Sequence, residues 1–197
     1  MGLDSYLNKM PRYKGATAND VCMVENYLEW EAAKKAGSEY ADCTFKKWCG
    51  MDIDLNDIKT NELIDFYSQF YEKKYYAWDT EKKYGYARIM DQVGYWRKAN
   101  HIHNWFVENA QDGEDDCDYH REVTKEDLEE LLDVCLQVLR CPNLASELLP
   151  TQRGFFFGST DYDEYYMKDV ENTVDIVRRA LETTDFDREQ LYYIRSW

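Results

Sequence analysis

Residues 124–140 carry the most regular apolar pattern in the chain, and that pattern constrains the fold more than any other feature. Thr124 is a good N-cap with Asp127 three residues later, and Pro142 marks the end. Between them, apolar side chains recur every three or four residues: Leu128, Leu131, Leu132, Cys135, Leu136 and Leu139. The pattern therefore predicts a helix with a wide face directed into a core.

The rest of the chain predicts more helices and two terminal strands. Apolar positions at helical spacing predict helices at residues 19–36, 57–76, 90–110 and about 162–183. Residues 3–12 roughly alternate between apolar and polar side chains, and residues 191–197 are aromatic and β-prone. We therefore predict an α+β fold, a mainly helical single domain over residues 1–197 with a small antiparallel sheet in which the N- and C-terminal strands pair. Residues 11–41 are a candidate helical insertion.

The formal net charge of -15 limits the partners of this protein. A field of that sign repels phosphate backbones, whereas surfaces that grip DNA or RNA need Lys and Arg. We therefore expect no direct nucleic-acid binding, while a protein with a basic surface would be attracted. Plain solubility is the simpler interpretation of the charge taken alone.

The sequence also gives expectations about location. Residues 1–15 lack the apolar run of a secretory signal, and no stretch approaches the ~20 apolar residues of a membrane span. We expect a cytoplasmic protein without membrane association. Its six cysteines are then expected to be free thiols.

The segment 95–105 concentrates cationic, imidazole and aromatic side chains in an otherwise acidic chain. With the loop 150–160, where Gly154 and Gly158 let the backbone approach a ligand, it predicts a pocket for a small anionic, nucleotide-like molecule. The ligand-binding candidates are Trp96, Arg97, Lys98, Asn100, His101, His103, Gln152 and Arg153. The alternative is structural, because aromatic residues at helical spacing are usually core residues and residues 150–160 would suit a short core strand.

Metal binding and catalysis find little support in the residue pattern. His101 and His103 are two residues apart, whereas helical zinc sites use a spacing of four. The acids do not follow the ligand pattern of a calcium loop. We expect no metal and no cofactor. Because no serine elbow or nucleophile–base pair stands out, enzymatic activity is not favoured.

Residues 112–118 contain a dense group of acidic side chains around Gly113. Like charges at this density stay hydrated, so the segment is predicted to be an exposed loop. Carboxylates in such a loop can take the place of phosphates on a Lys- and Arg-rich groove of another protein. The partner-binding candidates are Asp112, Glu114, Asp115, Asp116 and Asp118.

Several longer motifs resemble one family. They are MGLDSYL at the start, YYAWDTEKKYG (75–85), QVGYWRKANHIHNWFVENAQDGEDDC (92–117), LLPTQRGFFFGSTDYDEYY (148–166) and the terminal YYIRSW. The chain is similar in these motifs to a family of uncharacterised proteins encoded by bacteriophages and by prophages in bacterial genomes. The resemblance covers most of the chain and is weakest at residues 11–41. It implies a protein made in the host cytoplasm from a phage or mobile-element genome, and it implies no catalytic residue.

Two function classes follow from these observations. The first is a non-enzymatic protein that inhibits a host or defence macromolecule, such as a CRISPR-type nuclease, through its acidic surface. The alternative is a binder of a small anionic, nucleotide-like ligand between the 95–105 helix and the 150–160 loop.

Overall fold

The computed structural model describes residues 2–75, 85–117 and 120–197. Contacts along the chain divide it into two compact units, a first unit of residues 1–10 with 92–197 and a second unit of residues 11–91. The candidate insertion at residues 11–41 lies within the second unit.

The bounds of the described elements are as follows. The strands are β1 (Asp4–Pro11), β2 (Glu72–Tyr75), β3 (Gly85–Arg88), β4 (Asp91–Arg97), β5 (Glu122–Val123) and β6 (Glu189–Ser196). The helices are α1 (Ala18–Lys35), α2 (Phe45–Cys49), α3 (Ile58–Tyr67), α4 (Asn100–Ala110), α5 (Lys125–Arg140), α6 (Ala145–Leu148) and α7 (Glu164–Thr183).

The sheet of the first unit is antiparallel and has the strand order β4-β1-β6-β5. The N-terminal strand β1 and the C-terminal strand β6 are therefore hydrogen-bonded neighbours. Their side chains meet as well, because the Tyr193 hydroxyl donates to Ser5 Oγ at 2.9 Å and Lys9 Nζ lies 3.1 Å from Glu189. The α+β class, mainly helical with a small antiparallel sheet that pairs the two terminal strands, is confirmed.

Helices α5 and α7 pack on each other, and their buried side chains share one core cluster with the sheet. α5 starts at the predicted capping box, in which Thr124 and Asp127 each accept a hydrogen bond from the other's backbone N–H. Leu128, Leu131, Cys135 and Val138 are its buried residues. Each such aliphatic side chain contributes roughly 1.5–3 kcal/mol when fully buried. α7 is capped by Asp163, whose carboxylate accepts from the N–H groups of Tyr165 and Tyr166.

The second unit contains α1, α2, α3 and the hairpin of β2 and β3. α1 begins at a capping box of Thr17 and Asp20, close to the predicted start. α3 ends at Tyr67, so the helix expected over residues 57–76 is too long. The chain leaves the helix there because residues 72–75 pair with residues 85–88 as antiparallel strands.

A single helix over residues 90–110 is wrong, and the 95–105 segment is not a helix throughout. Its first part is β4, and α4 begins only at Asn100. Burial alternates along the strand, with Gly94 and Trp96 buried and Tyr95 exposed, which is a period of two. Gly94 passes so close to α7 that an added Cβ would lie 2.6 Å from Ile176 Cγ2. The strand then turns into the helix at Lys98, whose φ of 59° is left-handed.

Among the described residues, no helix is both long enough and apolar enough to cross a bilayer.

Candidate functional site

A cleft of about 320 Å³ opens in the first unit where β4 turns into α4. Its walls are this turn, the segment around Gly158 and Ser159, and the first two turns of α7. We call it the α4–α7 cleft. Four of the predicted ligand-binding residues line it: Arg97, Lys98, Asn100 and His101.

The N-terminus of α4 faces this cleft without a side-chain cap. Its N-cap residue is Ala99, which makes no capping hydrogen bond. The first N–H groups of a helix have no partner within the helix, and together with the helix dipole they favour a negative charge. An uncapped helix start that lines a cleft is therefore an anion-binding geometry, provided that other groups there agree with it.

The cations of the cleft are available for a ligand. Arg97, Lys98 and Lys168 line it, all three are exposed, and none forms an ion pair with the rest of the described chain. Three unpaired cations stand out in a protein with a net charge of -15. Arg97 and Lys98 lie at the β4–α4 turn and Lys168 lies on α7, where the carboxylates of Asp163 and Asp169 line the same cleft.

His101 adds a buried polar group to the same wall. Its side chain is 3% exposed, and its ring lies against Tyr166 with 4.1 Å between the ring centroids. Burial lowers the pKa of His101 to about 3, so the imidazole is neutral at physiological pH. Its buried Nε2 has no hydrogen-bond partner in the described structure. A buried polar atom without a partner is costly. With less than 1 Å² of accessible surface, His101 Nε2 could meet a ligand only if the cleft wall shifted.

The acids of the cleft fall into two groups. Asp161 accepts from the Ser159 hydroxyl at 3.0 Å, and Asp163 caps α7, so both carboxylates have structural partners. The Asp169 carboxylate makes no hydrogen bond or ion pair with any described residue. Desolvation, and then the charge of Asp163, raises the pKa of Asp169 to about 6. Asp169 is thus an open acceptor in the cleft, next to Lys168, whose charge opposes the rise in its pKa.

Asn100 holds the loop that forms one wall. Its side-chain amide donates to the carbonyls of Phe157 (3.0 Å) and Ser159 (2.7 Å), and its Oδ1 accepts from the Gln152 N–H (3.0 Å). The side chain is 1% exposed. Asn100 is therefore a positioning residue that fixes the loop 150–160 against the start of α4. The loop contains no strand, and Phe155 at its tip is 95% exposed.

The remaining predicted ligand-binding residues lie outside the lining of the α4–α7 cleft. Trp96 is 2% exposed and donates to Thr173 Oγ1 at 2.9 Å, so strand alternation has placed it in the core. Gln152 is half-buried and Arg153 is exposed on the loop. His103 is fully buried, with its Nδ1 at 3.0 Å from the Tyr193 hydroxyl.

The acidic loop after α4 is anchored to the fold at Asp115. His103 Nε2 lies 3.2 Å from its carboxylate, and the buried Arg195 guanidinium lies 3.8 Å from it. Arg195 also donates to the backbone carbonyl of Glu114 at 2.8 Å. Burial lowers the pKa of His103 even though Asp115 opposes that shift. Asp115 therefore points partly inward and is not a freely presented charge.

The other acids of this loop face solvent. Asp112, Glu114 and Asp116 are exposed, and Asp112 lies 3.8 Å from Arg121. Arg121 also lies 3.5 Å from Asp127, so the loop sits near the start of α5. Asp118, the fifth predicted acid, lies outside the described residues.

Sequence reasoning missed the contribution of α7 to the cleft. Tyr165, Lys168 and Asp169 line it, and they lie within one and a half turns of the helix start. Their spacing of three and four residues puts them on one face, which is a signal that the sequence contained. That face could be connected with α4 only once the fold was known.

No group of three or more His, Cys, Asp or Glu side chains in the described ranges could hold a metal ion. No protein-family model, no curated protein and no solved structure matches the chain. Function is therefore inferred from the chemistry of the α4–α7 cleft and of the acidic loop.

Proposed function

We propose that this protein is a non-enzymatic binder of a small anionic, nucleotide-like ligand, which it holds in the α4–α7 cleft. One observation carries the proposal. The uncapped start of α4 lines a cleft with three unpaired cations, Arg97, Lys98 and Lys168, in a chain whose net charge is -15.

The chemistry of an anion at this position is favourable in three ways. Backbone N–H groups at the helix start would donate to it, and the helix dipole would stabilise its charge. Lysine and arginine side chains would make charge-assisted contacts, which are the stronger kind of hydrogen bond. The neutral His101 could donate from Nε2 without adding charge once a shift of the cleft wall exposes this atom, which has no partner and less than 1 Å² of accessible surface.

Calorimetric titration with inorganic phosphate and with AMP tests the proposal. Lys98→Gln removes one cation of the cleft, and Lys47→Gln is the matched control because Lys47 is exposed on α2 and forms no ion pair with the described chain. A hydrogen bond to a charged group contributes about 1.5 kcal/mol or more, so Lys98→Gln should weaken the binding of both anions about tenfold. Lys47→Gln should leave both affinities unchanged. If neither anion binds, or if both variants weaken binding equally, the cleft is not an anion site.

A second candidate function has its own support, the acidic surface around the loop. Asp112, Glu114 and Asp116 are exposed there, and the Arg121 contacts place the loop beside α5. The exposed residues near the start of α5 add further acids: Glu126, Glu129, Glu130 and Asp133. Exposed acids of this kind accelerate encounter with a basic protein surface, although Glu129 is partly offset by its ion pair with Lys125.

We propose on this basis that the acidic surface occupies a basic groove on a host or defence protein, such as a CRISPR-type nuclease, in the cytoplasm of the host cell. The resemblance of several sequence motifs to phage and prophage proteins motivates this choice of partner. Neutralising Asp112, Glu114 and Asp116 to Asn, Gln and Asn should slow association and weaken inhibition of nuclease cleavage. The association rate of the wild type should also fall as salt rises, since screening shortens to about 8 Å at physiological ionic strength. Inhibition that is independent of salt and of these acids would contradict the mechanism.

A further inference from the structure

We propose that the α4–α7 cleft selects a nucleoside monophosphate, and that Asp169 is the residue that determines this specificity. The phosphate lies at the start of α4, and N–H or O–H donors of the nucleoside bind the Asp169 carboxylate. This inference rests on the proposed binding of an anion in the cleft.

The two sides of the cleft differ in chemistry. On the β4–α4 side, Arg97 and Lys98 provide unpaired positive charge and the first turn of α4 provides N–H donors. On the α7 side, Asp169 provides a carboxylate that can only accept hydrogen bonds when ionised. This carboxylate lies next to Lys168, whose charge opposes the rise in its pKa, and it accepts no hydrogen bond from a described residue. A ligand that spans both sides needs an anion at the β4–α4 side and hydrogen-bond donors near Asp169.

The two neighbouring acids already hold structural contacts. One oxygen of Asp161 accepts from the Ser159 hydroxyl, and one oxygen of Asp163 accepts from the first N–H groups of α7. Asp169 is therefore the acid of the cleft whose two oxygens are both open to a ligand.

Charge disfavours a ligand with a second anion beside Asp169. A second phosphate there would face a like charge in a partly desolvated position, a repulsion that the neighbouring Lys168 lessens without removing. A monophosphate with a neutral donor-bearing portion meets no such repulsion. Ribose hydroxyls and nucleobase N–H groups are both donors of this kind, and a carboxylate that accepts from a ribose hydroxyl is a familiar arrangement in nucleotide sites.

Size and aromatic character also favour a mononucleotide. The cleft volume of about 320 Å³ lies at the lower end of the roughly 300–1,000 Å³ of small-molecule pockets. Tyr165 lines the cleft and is 71% exposed, so an aromatic side chain is within reach of a base. Base–aromatic stacking tolerates any base, whereas the donors that reach a carboxylate differ between bases.

The experiment is a calorimetric ladder of inorganic phosphate, ribose 5-phosphate, AMP and GMP against four proteins. These are the wild type, Asp169→Asn, Lys98→Gln and the control Asp175→Asn, which changes an exposed acid on the same helix. We expect at least one nucleotide to bind the wild type ten times more tightly than phosphate does. Asp169→Asn should abolish that gain while phosphate binding is retained. Asp175→Asn should behave as the wild type.

The ladder separates the outcomes. If ribose 5-phosphate shows the full gain in affinity over phosphate, the ribose hydroxyls bind Asp169. If the gain appears only with AMP or GMP, the base binds Asp169. Suppose that phosphate binds and that Lys98→Gln weakens this binding. If nucleotides then bind no more tightly than phosphate, or if their extra affinity survives in Asp169→Asn, this inference is overturned and anion binding in the cleft stands. Failure of phosphate and every nucleotide to bind the wild type overturns both. A thermal melt of Asp169→Asn confirms that the compared proteins are folded.

Discussion

The Asn100 side chain makes three hydrogen bonds at the point where the loop 150–160 meets α4, and its removal has a calculable effect. Asn100→Ala deletes the bonds to the Phe157 and Ser159 carbonyls and the bond from the Gln152 N–H. Each such bond contributes about 1 kcal/mol net, so the free energy of unfolding should fall by about 3 kcal/mol. At roughly 2–4 °C per kcal/mol for a chain of this size, Tm should fall by about 6–12 °C.

Urea denaturation measures this loss, and Asn104→Ala is its control. Asn104 lies one turn later on the same helix, and no hydrogen bond of its side chain is found among the described residues. Its replacement should change stability by about 0.5 kcal/mol at most. Asn100→Ala should also abolish phosphate binding by releasing a wall of the α4–α7 cleft. A loss below about 1 kcal/mol, or a loss equal to that of Asn104→Ala, would refute the positioning role of Asn100.

Three further variants test other parts of the first unit. Burial lowers the pKa of His101 to about 3, so its contribution to the free energy of unfolding is highest above pH 6.5 and falls as the pH drops towards 3. Urea denaturation at pH 7 and pH 5 tests this. Between these two pH values the free energy of unfolding of His101→Phe should fall by about 2 kcal/mol less than that of the wild type. Tyr193→Phe removes a buried hydroxyl bonded to Ser5 and His103, and should lower the free energy of unfolding by about 1–2 kcal/mol, whereas an unchanged denaturation midpoint would show that the hydroxyl contributes nothing. Lys98→Gly removes the backbone strain of a left-handed lysine and should therefore raise Tm. It also removes a cation and should weaken phosphate binding. A lower Tm would contradict the strain at this position.

The sequence predicted the elements whose signals are local. The stripe and capping box of α5, the long helix α7 and the pairing of the terminal strands all appear in the structure. The prediction of one helix over residues 90–110 was wrong because the apolar pattern fits a helical period as well as it fits a strand followed by a helix. The residues of that pattern are Tyr95, Ala99, Ile102 and Phe106. What decides between the two is tertiary, namely the close approach of Gly94 to α7.

The candidate site was predictable only on one side. Cations and polar residues clustered at 97–101 are visible in the sequence, and the structure places them on one cleft. Trp96 was expected beside them, but on a strand its side chain points away from its neighbours Tyr95 and Arg97. Asp169 and Lys168 come from a helix that follows about seventy residues later, so no local pattern connects them with the start of α4.

Lys98 shows how much of the fold supports the cationic end of the cleft. The turn from β4 into α4 needs a left-handed residue, a position that Gly or Asn would occupy at lower energy. The backbone there is fixed, since the Lys98 N–H donates to the Leu3 carbonyl at 2.8 Å. The lysine stem packs against two glycines: a Cβ on Gly158 would lie 3.1 Å from Lys98 Cβ, and one on Gly2 would lie 3.3 Å from Lys98 Cε. The backbone of Gly158 favours glycine by itself, since its φ is 91°. Because glycine would suit the turn at position 98 better than lysine does, the lysine there supports the proposed role of its charge in the α4–α7 cleft.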